Sequence, residues 1–224
     1  MLKKLFGEQK YIKMKSKIVL VFLLILPFAA FAQKDDLQLW GSVKFSKKVN
    51  SKIRFELQEQ IRWEDSLSQQ QKNFTDLGFK YKLTKAHSLG LNVRIVNEIE
   101  EDKNIRMNLD FSSAYSPSGI SISLKQRVRL QQSWKDDGEI DNMHFRTKWS
   151  IAVKNKFINP YFSHEIYWKM AAINELSKKR FTLGISWEMM KKLKMKIFVR
   201  SQRQQNKNNP DQIQILGFGL HYKI

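Results

Sequence analysis

Apolar and polar residues alternate from Ile53 to Trp63, in the stretch IRFELQEQIRW. A strand sends successive side chains to opposite faces. Ile53, Phe55, Leu57, Ile61 and Trp63 therefore share one face, and Arg54, Glu56, Gln58, Gln60 and Arg62 share the other. The same period recurs downstream, for example at Leu77, Phe79, Tyr81 and Leu83, at Leu89, Leu91, Val93 and Ile95, and at Ile105, Met107, Leu109 and Phe111. It continues to the last residues, where Leu216, Phe218, Leu220, Tyr222 and Ile224 form one file. The pattern predicts eleven strands, beginning with Leu37 to Val49, and no amphipathic helix. Most of the segments run to about 10–13 residues, where soluble strands most often have about five or six. Roughly nine to eleven tilted residues carry a strand across a membrane.

The connections alternate short and long, a division outer-membrane barrels show and soluble sandwiches have no reason to show. Asn50-Ser51, Thr84 to His87, SPSG (Ser116 to Gly119), Lys154 to Asn159 and Met190 to Lys192 read as the short set. Glu64 to Lys72, Glu98 to Lys103, Gln131 to Asn142, Lys169 to Lys179 and Gln205 to Asp211 read as the long set. Charge follows the same division. Glu64, Asp65, Glu98, Glu100, Glu101, Asp102, Asp136, Asp137, Glu139, Asp141, Glu175 and Asp211 fall in or beside the long set, while Lys47, Lys48, Lys52, Lys191, Lys192 and Lys194 flank the short one.

Length and alternation together predict an all-β fold, an antiparallel up-and-down transmembrane β-barrel of about 10–12 strands. Single-chain bacterial barrels have even strand numbers, so the eleven visible segments favour twelve strands with one unread. In such a barrel the apolar files face outward and the polar files face the lumen. The expected lumenal file is Arg54, Glu56, Gln58, Arg62, Arg94, Arg106, Asp110, Arg127, Arg129, Arg146, Lys148, Glu165 and Arg200. Long side chains of that kind predict a mostly filled interior, with Arg and Glu pairing and a positive excess that favours anions. Aromatic girdles are expected at Trp63, Phe145, Trp168 and Phe181 near one rim and at Tyr81, Tyr115, Tyr161, Trp187 and Tyr222 near the other. Glu59 breaks the apolar file between Leu57 and Ile61, which points to a bulge, a protein contact or a reversed facing.

The N-terminus changes the picture by naming a compartment. Lys13, Lys15 and Lys17 precede the apolar run IVLVFLLILPFAAFA, which ends in Ala30-Phe31-Ala32. This is the architecture of a cleaved secretory signal peptide, giving residues 1–32 as the leader and 33–224 as one barrel domain. The leader holds six lysines and one glutamate, so the net charge of +19 falls to +14 on cleavage. Cysteine is absent, and an exported chain without disulfides holds together by burial and hydrogen bonding. The expected location is the bacterial outer membrane.

Chemistry-bearing motifs do not appear. His87, His144, His164 and His221 lack metal-ligand spacing, and no nucleophile elbow, phosphate loop or zinc signature is present. Ser163-His164-Glu165 has suitable residue types, but neighbouring strand residues alternate faces and cannot converge. No catalytic, metal or cofactor-binding residue is expected, and the chain is not expected to be an enzyme. The basic residues are spread over turns and inward files, so nucleic acid is not an expected partner.

The segments LWGSVKFSKKVNSKIRFELQEQIRW, FTDLGFKYKLTKAHSLGLNVR, NPYFSHEIYW, KRFTLGISWEMMKKLKMKIFVR and ILGFGLHYKI resemble an uncharacterised Bacteroidota-type outer-membrane β-barrel family, a domain of unknown function. The resemblance implies a barrel in the outer membrane and carries over no substrate and no catalytic residue. The end Gly219-x-x-Tyr222-x-Ile224 is similar to the terminal signal read by the barrel-assembly machinery, although Ile224 replaces the usual final aromatic. The function expected is a structural barrel or a narrow, anion-favouring pore. Its expected partners are outer-membrane lipid and the assembly machinery, with surface polysaccharide or small anions as candidate ligands. The alternative is a soluble periplasmic barrel or sandwich that binds a ligand or partner.

Overall fold

Each alternating file becomes one strand. A computed structural model of the chain describes residues 36–64, 69–98, 104–170, 175–206 and 210–224. The leader lies outside the described residues, as do Asp65, Glu100, Glu101, Asp102 and the side chain of Glu98. The strands are β1 (Asp36–Lys48), β2 (Ile53–Glu64), β3 (Gln69–Lys82), β4 (His87–Glu98), β5 (Asn104–Tyr115) and β6 (Ile122–Trp134). They continue with β7 (Ile140–Val153), β8 (Asn159–Lys169), β9 (Glu175–Met190), β10 (Leu193–Gln204) and β11 (Gln212–Lys223). No helix occurs among the described residues.

Each strand pairs antiparallel with its sequence neighbours, and β1 pairs with β11 to close the barrel. The closing pair is parallel, in the register Trp40↔Gly217, Ser42↔Gly219 and Lys44↔His221. This corrects the expectation of twelve strands. Ten antiparallel steps join the eleven strands and leave the first and last running the same way, so closure without a twelfth strand has to be parallel. Parallel ladders bond somewhat less strongly per residue than antiparallel ones. Eleven successive register partners make this seam long, and full closure leaves no unpaired edge.

Most strands have 11–13 residues, as the pattern implied, and β3, β7 and β9 are longer, at 14, 14 and 16. The strands extend into the segments read as long loops: β2 reaches Glu64, β7 begins at Ile140 and β9 begins at Glu175. Connections at the rim where β1 starts, here the upper rim, therefore have four to seven residues. Those at the lower rim have two to six. The expected sorting of loop length is thus largely absent, because polar ladder ends read as loop in a sequence. The sorting of charge persists: Asp136, Asp137, Glu139 and Asp211 stand at the upper rim, and Lys47, Lys48, Lys52, Lys191 and Lys192 at the lower. The lower turns are built locally. Asn50 Oδ1 accepts from the backbone N–H groups of Lys52 and Ile53, at 2.9 and 2.8 Å, and Gly119 supplies a φ of +78° after Pro117.

The faces are inverted relative to a soluble core. Among the described residues, thirty-eight large apolar side chains are exposed and six are buried. Phe55, Leu57, Ile61, Leu77, Leu91, Leu109, Phe162, Phe181, Leu216 and Phe218 are among those facing outward. The buried set is dominated by polar groups, including Gln60, Asp76, Asn108, Gln131, Ser163, Glu165 and Thr182. Glu59 faces outward with Leu57 and Ile61, in register with Val43 and Thr75, and accepts a 3.0 Å bond from the Thr75 hydroxyl. No register shift falls there, because the shift in this hairpin lies between Arg62 and Trp63. The bulge and the reversed facing are both excluded for Glu59.

Candidate functional site: the charged lumen

Polar side chains from β1 to β10 converge on one cavity of about 640 Å³. Among the described residues, fourteen Lys and Arg side chains and five carboxylates line it. Of the expected lumenal file, Glu56, Gln58, Arg62, Arg94, Arg106, Asp110, Arg127, Arg129, Arg146, Lys148, Glu165 and Arg200 line it. Arg54 does not; it stands in register with Lys48 and Lys80 toward the lower rim.

Four of these carboxylates, Glu56, Asp76, Asp110 and Glu165, pair with cations, and most pairs form between neighbouring strands. Arg94 clamps Asp76 through Nε and Nη2 at 2.6 and 2.7 Å. Arg129 clamps Asp110 in the same way, at 2.6 and 2.7 Å. Such two-pronged pairs fix both strand and side chain. Lys44 meets Glu56 at 2.7 Å nearer the lower rim. Glu165 is the hub: Arg127 and Arg146 donate to its Oε1 at 2.7 and 2.9 Å, and Arg180 approaches Oε2 at 3.9 Å. The Tyr167 hydroxyl donates to Glu165 Oε2 at 3.2 Å and accepts from Arg146 and Arg180.

The cations outnumber the carboxylates, and aromatic faces take up part of the excess. Trp40, Phe74, Tyr167 and Phe198 point inward, and guanidiniums stack on them. The Arg62 guanidinium carbon lies 3.6 Å from the Trp40 ring centre and 4.1 Å from that of Phe74. Arg200 lies 4.9 Å from Trp40 and 4.8 Å from Phe198. Trp40, Phe198 and Ile215 form a small apolar cluster inside the barrel, with Tyr161 and Ile213 against it. Tyr161 is thus an interior residue, which corrects its expected place in a girdle.

Two glycines make room for these rings. A Cβ on Gly217 would overlap the Phe198 ring, and one on Gly184 would meet the Tyr161 ring at 2.7 Å. Trp40, Phe74, Tyr167, Phe198, Lys178 and Arg180 are among the lining residues that sequence reasoning missed, as are Lys44 and Asp76. A signal existed for the aromatics, since each falls out of phase with the apolar file of its own strand.

The remaining candidates spread apart. In the terminal signal, Gly219 packs inward near Lys196 and Ser42, Tyr222 faces outward with its ring 6.5 Å from Phe45, and the Ile224 N–H donates to Ser46 O at 2.8 Å. His144 lines the cavity, His221 meets Ser46 at 2.7 Å, and His87 meets Ser113 at 3.0 Å. His164 faces outward and stacks on Phe181 at 4.4 Å, while Ser163 and Glu165 beside it are buried. Among the described residues, no three His, Asp or Glu side chains gather as a metal site would require.

No curated protein matches the chain. The family model described as a protein of unknown function, DUF2490, matches residues 37–214, from β1 into β11. A closed eleven-stranded barrel around a cationic lumen is therefore the fold of a chain that belongs to the DUF2490 family.

Proposed function

We propose that the protein is an integral bacterial outer-membrane β-barrel whose lumen is a narrow, anion-favouring passage held by a structural charge network. The observation that carries this reading is the inversion of faces: apolar outside around the whole wall, charged inside. A soluble monomer rarely exposes an apolar patch above a few hundred Å². Water would meet most of these thirty-eight side chains in a soluble barrel, whereas lipid welcomes them. Strands of 11–16 residues are long enough to span a hydrocarbon layer when tilted. Closure satisfies the backbone groups that lipid leaves without partners.

On this reading the partners are outer-membrane lipid and the barrel-assembly machinery, and the leader directs export. Catalysis is not part of the proposal. The excess of lining cations supports preference for anions, since a low-dielectric wall concentrates the field of fixed charges on a passing ion. Two experiments test it. Membranes washed with high salt and carbonate should retain the protein, and detergent should release it; release by osmotic shock alone would support the soluble alternative. In planar bilayers under a potassium chloride gradient, the reversal potential should report chloride permeability severalfold above potassium. Cation preference, or no current from folded protein, would overturn the passage.

A further inference from the structure

The excess positive charge in the lumen is not spread evenly. It gathers at Trp40, where three guanidiniums share one indole: Arg62 at 3.6 Å from the ring centre, Arg200 at 4.9 Å and Arg180 at 5.6 Å. The bonds that hold them go largely to neutral groups. Arg200 Nε donates to Thr182 Oγ1 at 2.9 Å, and Arg180 Nε donates to Gln202 Oε1 at 2.6 Å. Arg62 Nε is buried without a hydrogen-bond partner. Arg94 stands beside Arg62 on the Phe74 ring, at 4.8 Å and 4.1 Å from its centre. Of the acids, Asp76 is clamped by Arg94 from β4, and Glu165 reaches Arg180 only at 3.9 Å while holding Arg127 and Arg146. Lys178 adds a further cation, 5.7 Å from the Tyr167 ring.

We propose that this cluster is a binding site for one small multivalent oxyanion of the phosphate or sulfate kind. Guanidinium forks match tetrahedral oxyanions with paired N–H donors, and three of them around one cavity favour more than one negative charge. The cavity is of the size that takes a small molecule. Trp40 forms the floor on which the arginines are stacked, which holds their forks in place without neutralising them. The proposal rests on the preceding reading only in requiring a wet lumen; it needs neither conduction nor a membrane.

The test uses the full folded chain in a phosphate-free maltoside detergent, titrated with inorganic pyrophosphate at constant ionic strength and followed by calorimetry and tryptophan fluorescence. Saturable one-to-one binding is expected, weakened at least tenfold by Arg62→Gln and by Arg200→Gln. Lys192→Gln, in a lower turn away from the cluster, should bind as the parent does. Unheated gel mobility establishes that each variant is folded, and Arg62→Lys, which keeps the charge, serves should Arg62→Gln not fold; it should retain more affinity than Arg200→Gln. Absence of saturation, or equal binding by the parent and both glutamine variants, would overturn the site. A folded barrel that binds pyrophosphate but carries no current would leave the site standing and remove the passage. A conducting barrel without saturable binding would do the reverse.

Discussion

Glu165 faces three guanidiniums from three strands, Arg127 of β6, Arg146 of β7 and Arg180 of β9. Replacing it by Gln would leave these buried cations opposed to one another. We expect Glu165→Gln to destabilise the barrel by about 3 kcal/mol, the lower end for breaking a buried pair because the cavity keeps water within reach. Thermal unfolding in detergent measures it; an unchanged midpoint would show the hub to be dispensable. Gly217→Ala should also destabilise, by about 1–3 kcal/mol through overpacking against Phe198, and Phe198→Leu in the same chain should recover most of the loss. Glu59 gives the opposite sign. Its carboxylate sits in mid-wall among Val43, Leu57 and Ile61, so Glu59→Leu should raise the unfolding midpoint, worth up to about 2 kcal/mol if lipid or detergent covers that face. A surface in water would gain nothing from it. At this scale the outward and inward sets were legible because period two survives every local exception. Interior aromatics were not, since an out-of-phase Trp40 or Phe198 looks the same in sequence whether it faces a lumen or interrupts a strand.

Strand order and hairpin succession follow from the sequence, because up-and-down pairing joins each file to the next. The lengths of the connections do not. Polar residues such as Gln69 to Lys72 and Glu175 to Lys178 have no apolar alternation to mark them, yet they extend the ladders of β3 and β9. Register shifts were equally silent. Three of them lie at the upper rim, at Arg62/Trp63, Ser133/Trp134 and Tyr167/Trp168, each just before a tryptophan. A bulge bends a strand and re-aims the next side chain, and here Trp134 and Trp168 end in register with the outward-facing Ile105 and Phe145. The parallel seam is the least foreseeable element, since it depends on strand parity rather than on any residue. It is also directly testable in a chain without cysteine. Val43→Cys with Leu220→Cys should form a disulfide on mild oxidation, because the two positions are register partners across β1 and β11. Val43→Cys with Leu216→Cys should remain reduced. The reverse pattern would mean that the seam is displaced or that another strand intervenes.

For the molecule as a whole, strand parity places the first residue of β1 at the upper rim and the last of β11 at the lower. In a membrane those two ends lie on opposite sides. An impermeant thiol reagent applied to intact cells should therefore label a single cysteine at Asp211 or at Lys192, and not both; labelling of both would argue against a spanning barrel. The acidic upper rim and the lysine-rich lower rim give the two sides different chemistry, with the cationic lumen between them. All of this depends on the inverted faces meeting lipid. The most direct measurement is the electrophoretic mobility, in SDS, of protein extracted from membranes, compared unheated and boiled. A closed ladder of eleven strands shielded by detergent should stay compact until heated, so the unheated sample should run at a different apparent mass from the boiled one. Identical mobility, together with recovery of the protein from cells without detergent, would contradict the account and return the apolar wall to water.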